Sequence, residues 1–490
     1  MVVLSSVGAV AVFYNQAKLD TVGKVAFDKE LAVPPLADSK PDSSGARVFN
    51  LDVRSGETQF LPGDATATWG VNGAFLGPTI RARRGEEVAF AITNSVDVQT
   101  SIHWHGMHLP AAMDGGPHQV VAPGEVWDPR WKIDQPAATL WYHPHLHGQT
   151  ADHVYRGVAG MFILDDENSD KLNLPDEYGV DDIPMIVQDR KFDGDNQFDD
   201  SAPFLSNGGV FGDEILVNGT RGPYLEVATR LVRLRLLNGS NSRLYNFGLS
   251  DDRPFKLIGT DGGLLAEAWE TNRLHLSPGE RAEIVVAFEP GETVELRSYP
   301  AEFGFKGTGS RTNGADDRLD IIQFRTAATL ADATEIPATM GTTPDLDTDD
   351  VAQVRSFELS GTNINGLRMD MNRVDFGVRE GTTEVWQVTN TNGYMHNFHI
   401  HDVQFQIVDI DGEKPPPHLS GLKDTVLLVP DRRYRLAMRF SDYNDRNSPY
   451  LFHCHLLTHE DKGMMGQFVV LGDDEEIGRV PSTDGGHDHP

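Results

Sequence analysis

Cysteine is almost absent: Cys454 stands alone among 490 residues, which excludes an intrachain disulfide and leaves the redox compartment unreadable from bridges. Lysine is scarce too, at 12 against 30 Arg, whereas Asp reaches 48 and Glu 25. The formal net charge is −31, and such a surface repels nucleic-acid phosphates and anionic lipid headgroups, so neither is an expected partner. No apolar run is long enough to span a bilayer, so no stable membrane insertion is expected. Disorder is excluded by the 39% of hydrophobic residues, spread in short runs along the chain. Long helical periods are missing as well.

An acid-rich, lysine-poor surface is one adaptation to high salt; an ordinary acidic secreted protein is the alternative. On the salt-adapted reading, the melting temperature should rise clearly between ~0.1 M and molar NaCl, because screening removes self-repulsion. A flat profile favours the ordinary acidic protein. The opening segment Val2–Phe13 looks like the apolar part of an export signal but lacks the Arg/Lys-bearing start. It reads equally well as a signal remnant or as a first strand.

What is present reads as β. Runs such as Val88–Ile92, Leu231–Leu237 and Val385–Val388 are bounded by Gly, Asn, Asp and Pro. A repeat organises them: Val71-Asn72-Gly73, Val217-Asn218-Gly219 and Ile364-Asn365-Gly366 recur at intervals of 146 and 147 residues. Each is followed by a β-run ending in Asn, at Asn94, Asn238 and Asn390. Three copies of one β-domain, as sandwiches or barrels, account for both features. The expected limits are 45–165, 166–330 and 331–475, with an N-terminal lead-in over 1–44 and an acidic, His-bearing tail over 476–490. The acidic stretch Asp165–Asp182 and the Ala/Thr/Pro/Asp-rich Thr326–Asp350 are expected to be surface linkers.

Ten of the 18 His fall into four groups: His103/His105, His143/His145, His396/His399/His401 and His453/His455/His459. Cys454 sits inside the last. Imidazole and thiolate together suit copper or zinc. On an extended chain, residues two apart share a face, and residues one or three apart oppose each other. His453 and His455 therefore project together, away from Cys454, and His399 and His401 project away from His396. Two separate centres follow. Cys454, His396 and His459 form one inside the third domain. His103, His105, His143, His145, His399, His401, His453 and His455 form the other, at the interface of the first and third domains. The second domain offers no ligand and reads as a spacer. Met464 follows His459 by five residues, and two imidazoles, one thiolate and a weak thioether are the ligand set of a blue-copper centre. The alternative is that Met464-Met465 simply fills core.

Four segments, His103-Trp104-His105-Gly106, Trp141-Tyr142-His143-Pro144-His145, His396-Asn397-Phe398-His399-Ile400-His401 and His453–Met464, closely resemble the motifs of the three-domain multicopper oxidases, in order. Gly421-Leu422-Lys423-Asp424 and His459-Glu460-Asp461 are similar to the copper-efflux, laccase-like and bilirubin-oxidase-like branch. The resemblance implies an all-β chain of three cupredoxin-like Greek-key domains and four copper ions. It makes His396, Cys454, His459 and Met464 the type 1 ligands. His103 and His399 would bind the type 2 copper, and His105, His143, His145, His401, His453 and His455 the binuclear type 3 pair. Asn397 departs from the family, which usually has Pro there; carrying no ligand, it bears on local loop rigidity. Tyr394 stands where fungal bilirubin oxidases place Trp, which weakens a bilirubin-specific reading.

Asp114, in Met113-Asp114-Gly115-Gly116, and Glu460 match acids implicated in proton supply to the cluster in similar oxidases. The other readings are a turn residue before Gly-Gly and a solvated Glu. The implied reaction is one-electron oxidation of a small donor coupled to reduction of O₂ to water. With only 12 Met and no cluster beyond Met369/Met371, organic donors such as phenols and aryl amines are expected over Cu(I), Fe(II) or Mn(II). Some related proteins have lost copper and serve as structural or cell-division factors, but those lack ligands and here none is missing. The chemistry points to an exported location, extracellular, periplasmic or at the cell surface.

Overall fold

Short β-branched and aromatic runs pair into six sheets in the computed structural model, which describes residues 18–480 apart from 203–207, 307–308, 345 and 347. Val2–Phe13 and the tail residues His487 and His489 lie outside the described residues. Each repeat begins the same way. Arg47–Thr58 pairs parallel with Glu87–Asn94, Asp182–Arg190 with Leu231–Asn238, and Gln353–Ser360 with Thr382–Asn390. The opposing sheets share a parallel pair as well: Ile80–Arg83 with Gly160–Asp165, Pro223–Thr229 with Leu319–Ala331, and Phe376–Arg379 with Met465–Leu471. Parallel neighbours cannot be joined by a tight hairpin, so the chain crosses between sheets, as in Greek-key sandwiches. The result is three cupredoxin-like domains.

Each sandwich closes on its own core. Phe49, Phe90, Trp104 and Phe162 fill the first, Leu234, Phe247 and Ile284 the second, and Phe357, Trp386, Phe398 and Phe452 the third. A fourth cluster, including Trp141, Met161, Ile186 and Leu237, glues the first domain to the second.

The repeated asparagines have one structural job in all copies. Asn72, Asn218 and Asn365 adopt positive φ of 57°, 50° and 52°, a conformation that Asn tolerates better than most residues. In each, Oδ1 accepts a strand N–H and Nδ2 donates to a carbonyl two residues earlier on that strand: Asp52/Asn50, Ile186/Pro184 and Glu358/Ser356. Asn94, Asn238 and Asn390 likewise each tie two backbone carbonyls, Val98 and Val121, Arg243 and Leu276, Tyr394 and Leu428.

Two expectations need correction. Thr326–Ala331 is not linker: it completes the strand Leu319–Ala331, whose partner is Pro223–Thr229. Residues 18–44 are not a mere lead-in either. Lys29–Glu30 adds an edge strand to the second domain, and Ser39–Pro41 adds one to the first. Both follow from backbone pairing, which short polar strands satisfy without the apolar alternation that makes a strand readable. Among the described residues no helix is long and apolar enough to cross a membrane.

Candidate metal centres

Strand register brings the histidines together. His103 lies opposite His143 across the pair His103–His105/Ala138–His143, and His399 opposite His453 across His396–Ile400/Tyr450–His453. The two pairs come from different domains, and all eight rings are buried where they meet. Stacking carries across the interface: His105 on His399 at 3.8 Å and His103 on His401 at 3.9 Å.

A neutral imidazole has one N–H, and here most of these protons are already committed. Nδ1 of His103, His143 and His399 donates to the carbonyls of Asp114 (2.9 Å), Pro144 (2.8 Å) and Asp424 (2.9 Å). His105 donates from Nε2 to Asp424 Oδ1 at 3.0 Å, and His401 from Nδ1 to Asp114 Oδ2 at 2.7 Å. The lone pairs left over converge. His105 Nδ1 lies 3.3 Å from His143 Nε2, which is 3.4 Å from His455 Nε2. His453 Nε2 lies 3.1 Å from His145 Nε2 and 3.2 Å from His401 Nε2. Nε2 of His103 and of His399 is buried with no hydrogen-bond partner. Facing lone pairs repel, and a cation between them reverses the sign. Burial also pushes His105, His143, His145, His401, His453 and His455 well below the ordinary imidazole range, keeping them neutral as ligands must be. The donor set fits copper.

The second group is a triangle: His396 Nδ1 to Cys454 Sγ 3.4 Å, Cys454 Sγ to His459 Nδ1 3.7 Å, and His459 Nδ1 to His396 Nδ1 3.2 Å. Burial pushes the thiol up to about 12, so a bound cation is what would hold it as thiolate. Met464 is fully buried, its carbonyl accepting the Cys454 N–H and its N–H donating to the His459 carbonyl, each at 3.1 Å.

Neither acid is a surface residue. Asp114 is 1% exposed; besides His401, its Oδ1 lies 3.3 Å from His103 Nδ1. Gly115, at φ +78°, lets this turn close on the strand, because a Cβ there would meet the Ile102 carbonyl oxygen at 1.7 Å. Glu460, also 1% exposed, sits in the short helix Leu457–Asp461 with Oε2 3.2 Å from His453 Nδ1 and Oε1 3.5 Å from His145 Nδ1. Each carboxylate thus spans two histidines, the arrangement that orients metal ligands.

The second domain is more than a spacer. Arg281, fully buried in Arg281–Ala287, grips Asp424 with two bonds of 2.7 and 2.6 Å and donates from Nε to the Thr139 carbonyl of the first domain. Burial raises the Asp424 carboxyl, but Arg281 and His105 overcome it and hold it well below the usual carboxylate range. Lys423 pairs in turn with Asp261 and Glu280 of the second domain, at 2.9 and 3.1 Å. Sequence spacing carries no signal for Arg281, since an arginine inside a strand ordinarily reads as an outward residue.

His108 joins the first domain to the third, its Nδ1 donating to Asp402 Oδ1 at 2.8 Å and its Nε2 forming an ion pair with Asp442 Oδ1 at 2.8 Å. Burial lowers its pKa, but the two carboxylates prevail and raise it from 6.5 to about 10. The stabilisation is then complete below pH 6.5 and lost as pH rises towards 10. The melting temperature should fall across that window, and in His108→Gln the fall should be smaller. Equal slopes would contradict the pairing.

Fold and site together define a protein of three cupredoxin-like domains with two buried His and His/Cys groups whose donors suit copper. Residues 52–169 and 341–474 match the multicopper oxidase family. The multicopper oxidase mco of Staphylococcus haemolyticus is 35% identical over 451 residues, covering 90% of this chain and 92% of that protein. The cell division protein FtsP of Escherichia coli is 36% identical over 447 residues, with the same 90% and 92% coverage. The crystal structure of a laccase from Pediococcus acidilactici superposes with a TM-score of 0.82 at 34% identity, covering 90% of this chain and 93% of that one. The chain belongs to the multicopper oxidase family, whose oxidoreductases use copper.

Proposed function

We propose that this protein is a laccase-type four-copper oxidase, exported from the cell, with domains over 45–165, 166–330 and 331–475. The observation that carries the reading is the pair of converging nitrogen triads beside the orphaned Nε2 atoms of His103 and His399, joined through the chain to the Cys454 group. His396, Cys454 and His459, with the Met464 thioether as a weak further donor, would hold the type 1 copper. His103 and His399 would hold the type 2 ion. His105, His143 and His455 would hold one type 3 ion, and His145, His401 and His453 the other. When bound, copper supplies the one-electron acceptor and the O₂-reducing centre.

The residues supply the rest. Cys454 is bonded through the chain to both His453 and His455, which sit in different triads, so a covalent path joins the two centres. Asp114 and Glu460 stand at His nitrogens of the buried cluster, where a carboxylate can pass protons inward. A complete donor set disfavours a copper-free structural role like that of a cell-division factor.

The preferred donor is a phenol or aryl amine. One observation favours a metal-ion donor such as Cu(I), Fe(II) or Mn(II) as the second reading: the Met369 N–H donates to the Gly463 carbonyl at 2.9 Å, placing a Met-bearing segment beside Met464. The test is elemental analysis of the copper-loaded chain, then O₂ uptake with a phenol, a bulky dye and Cu(I) side by side. Four copper ions per chain and O₂ uptake with phenol or dye are expected. Rapid turnover of Cu(I) alone would move the assignment to a metallo-oxidase, and inertness towards all three would overturn it. Met464→Leu should keep its copper and raise the type 1 potential, because a weak thioether donor tunes the metal while the imidazoles and thiolate retain it. Loss of that copper would contradict the tuning role.

A further inference from the structure

Asn397 stands between the two candidate centres and does more than shape a loop. It lies in the strand His396–Ile400, fully buried, directly after His396. Its Nδ2 donates to the Pro278 carbonyl at 2.8 Å and to Ser277 Oγ at 3.1 Å, both on a turn of the second domain. Its Oδ1 accepts the His455 N–H at 2.6 Å and lies 3.7 Å from Cys454 Sγ. A carbonyl acceptor at one end and an N–H donor at the other leave the amide a single orientation. Strand alternation turns the backbone N–H of Asn397 towards the Cys454 side of the sheet: the Ile400 N–H donates to the Asp424 carbonyl on one side, and the His401 N–H to the Leu451 carbonyl on the other, the side that Asn397 shares. There this N–H and that of Leu456 act on the Cys454 sulfur against the rise that burial gives its pKa. On the same turn, Gly279 at φ +84° brings its backbone so near that a Cβ would sit 3.0 Å from His455 Nδ1.

These contacts separate into two roles. An N–H aimed at a thiolate draws charge from sulfur, weakens its donation to an oxidised metal and so favours the reduced state; hydrogen bonding around the Cys sulfur tunes such potentials. Proline at this position would have no N–H to give. The side chain acts independently of that bond. It pins the peptide between Cys454 and His455, the covalent link between the centres, to the second domain.

We propose that Asn397 is a positioning residue for electron transfer: its backbone N–H raises the potential of the Cys454 centre, and its amide clamps the Cys454–His455 link against the second domain. The inference rests on the copper assignment proposed above.

The test compares full-length wild type, Asn397→Pro and Asn397→Ala. The potential is read by redox titration of the visible band of copper-loaded protein, and the melting temperature on copper-free protein. Asn397→Pro should show a lower potential and a shifted band. Asn397→Ala keeps the N–H and should stay near the wild-type potential, but its copper-free form should melt lower, because the buried Pro278 carbonyl and His455 N–H lose their partner. A wild-type potential in Asn397→Pro, or an equal fall in Asn397→Ala, would overturn the tuning role. A wild-type melting temperature in Asn397→Ala would overturn the clamp. Wild type that binds copper without an intense visible band would instead overturn the copper assignment itself.

Discussion

Cys454→Ser is expected to remove the blue colour and donor oxidation together, leaving activity at the uncatalysed background. The sulfur lies 3.4 Å from His396 Nδ1 and 3.7 Å from His459 Nδ1, with both imidazoles and the thiol buried. A serine hydroxyl is a harder, weaker and usually protonated donor, so it cannot supply the soft thiolate that this ligand set requires. The change is small in volume, and His453 and His455 keep their places in the two triads. Copper should therefore fall by one ion per chain and not vanish. The absorption spectrum, copper content and O₂ uptake of one sample decide it. A variant that stayed blue would sink the type 1 assignment, and one that lost all its copper would show that the two centres do not fill independently.

Asp114→Asn should slow O₂ reduction by about 10²–10⁴-fold while leaving electron entry from the donor unchanged, the usual cost of losing one general acid. The carboxylate lies 2.7 Å from His401 Nδ1 and 3.3 Å from His103 Nδ1, so it touches one histidine assigned to the type 3 pair and one assigned to the type 2 ion. An amide keeps the size but cannot exchange a proton near neutral pH. It also has a single acceptor end: with its oxygen on His401, its NH₂ would point towards the His103 N–H. Some loss of copper or of melting temperature is expected for that reason, so the comparison must use fully copper-loaded protein. Stopped-flow reduction by donor, followed by reoxidation with O₂, separates the steps. Normal reduction with slow reoxidation supports the proton role. Wild-type reoxidation would leave Asp114 as an orienting group alone and pass the proton role to Glu460, whose Glu460→Gln variant should then show the slow step.

Much of the site is legible in the sequence, for a geometric reason. Extended chains alternate faces, so spacings of one, two and three residues among His396, His399, His401, His453, Cys454 and His455 already divided them into two sets. The repeated asparagines were legible for a similar reason: each sits in a turn and ties it back to an earlier strand of the same unit, so its pattern recurs wherever the unit recurs. The two short edge strands, Lys29–Glu30 and Ser39–Pro41, carried no such mark, because backbone pairing asks nothing of their side chains.

The sequence by itself therefore determined the inventory of clustered His and Cys side chains, its division between two groups and the three-fold repetition of the β unit. Tertiary structure alone decided which groups serve those ligands. Asp114 reaches His401 across 287 residues, Arg281 reaches Asp424 across 143, and Asn397 reaches Pro278 across 119. Periodicity speaks for the side a residue faces over a few neighbours. A carboxylate or amide acquires its role from whatever the packing of three domains sets against it, and the second domain, which has no ligand, contributes through that packing.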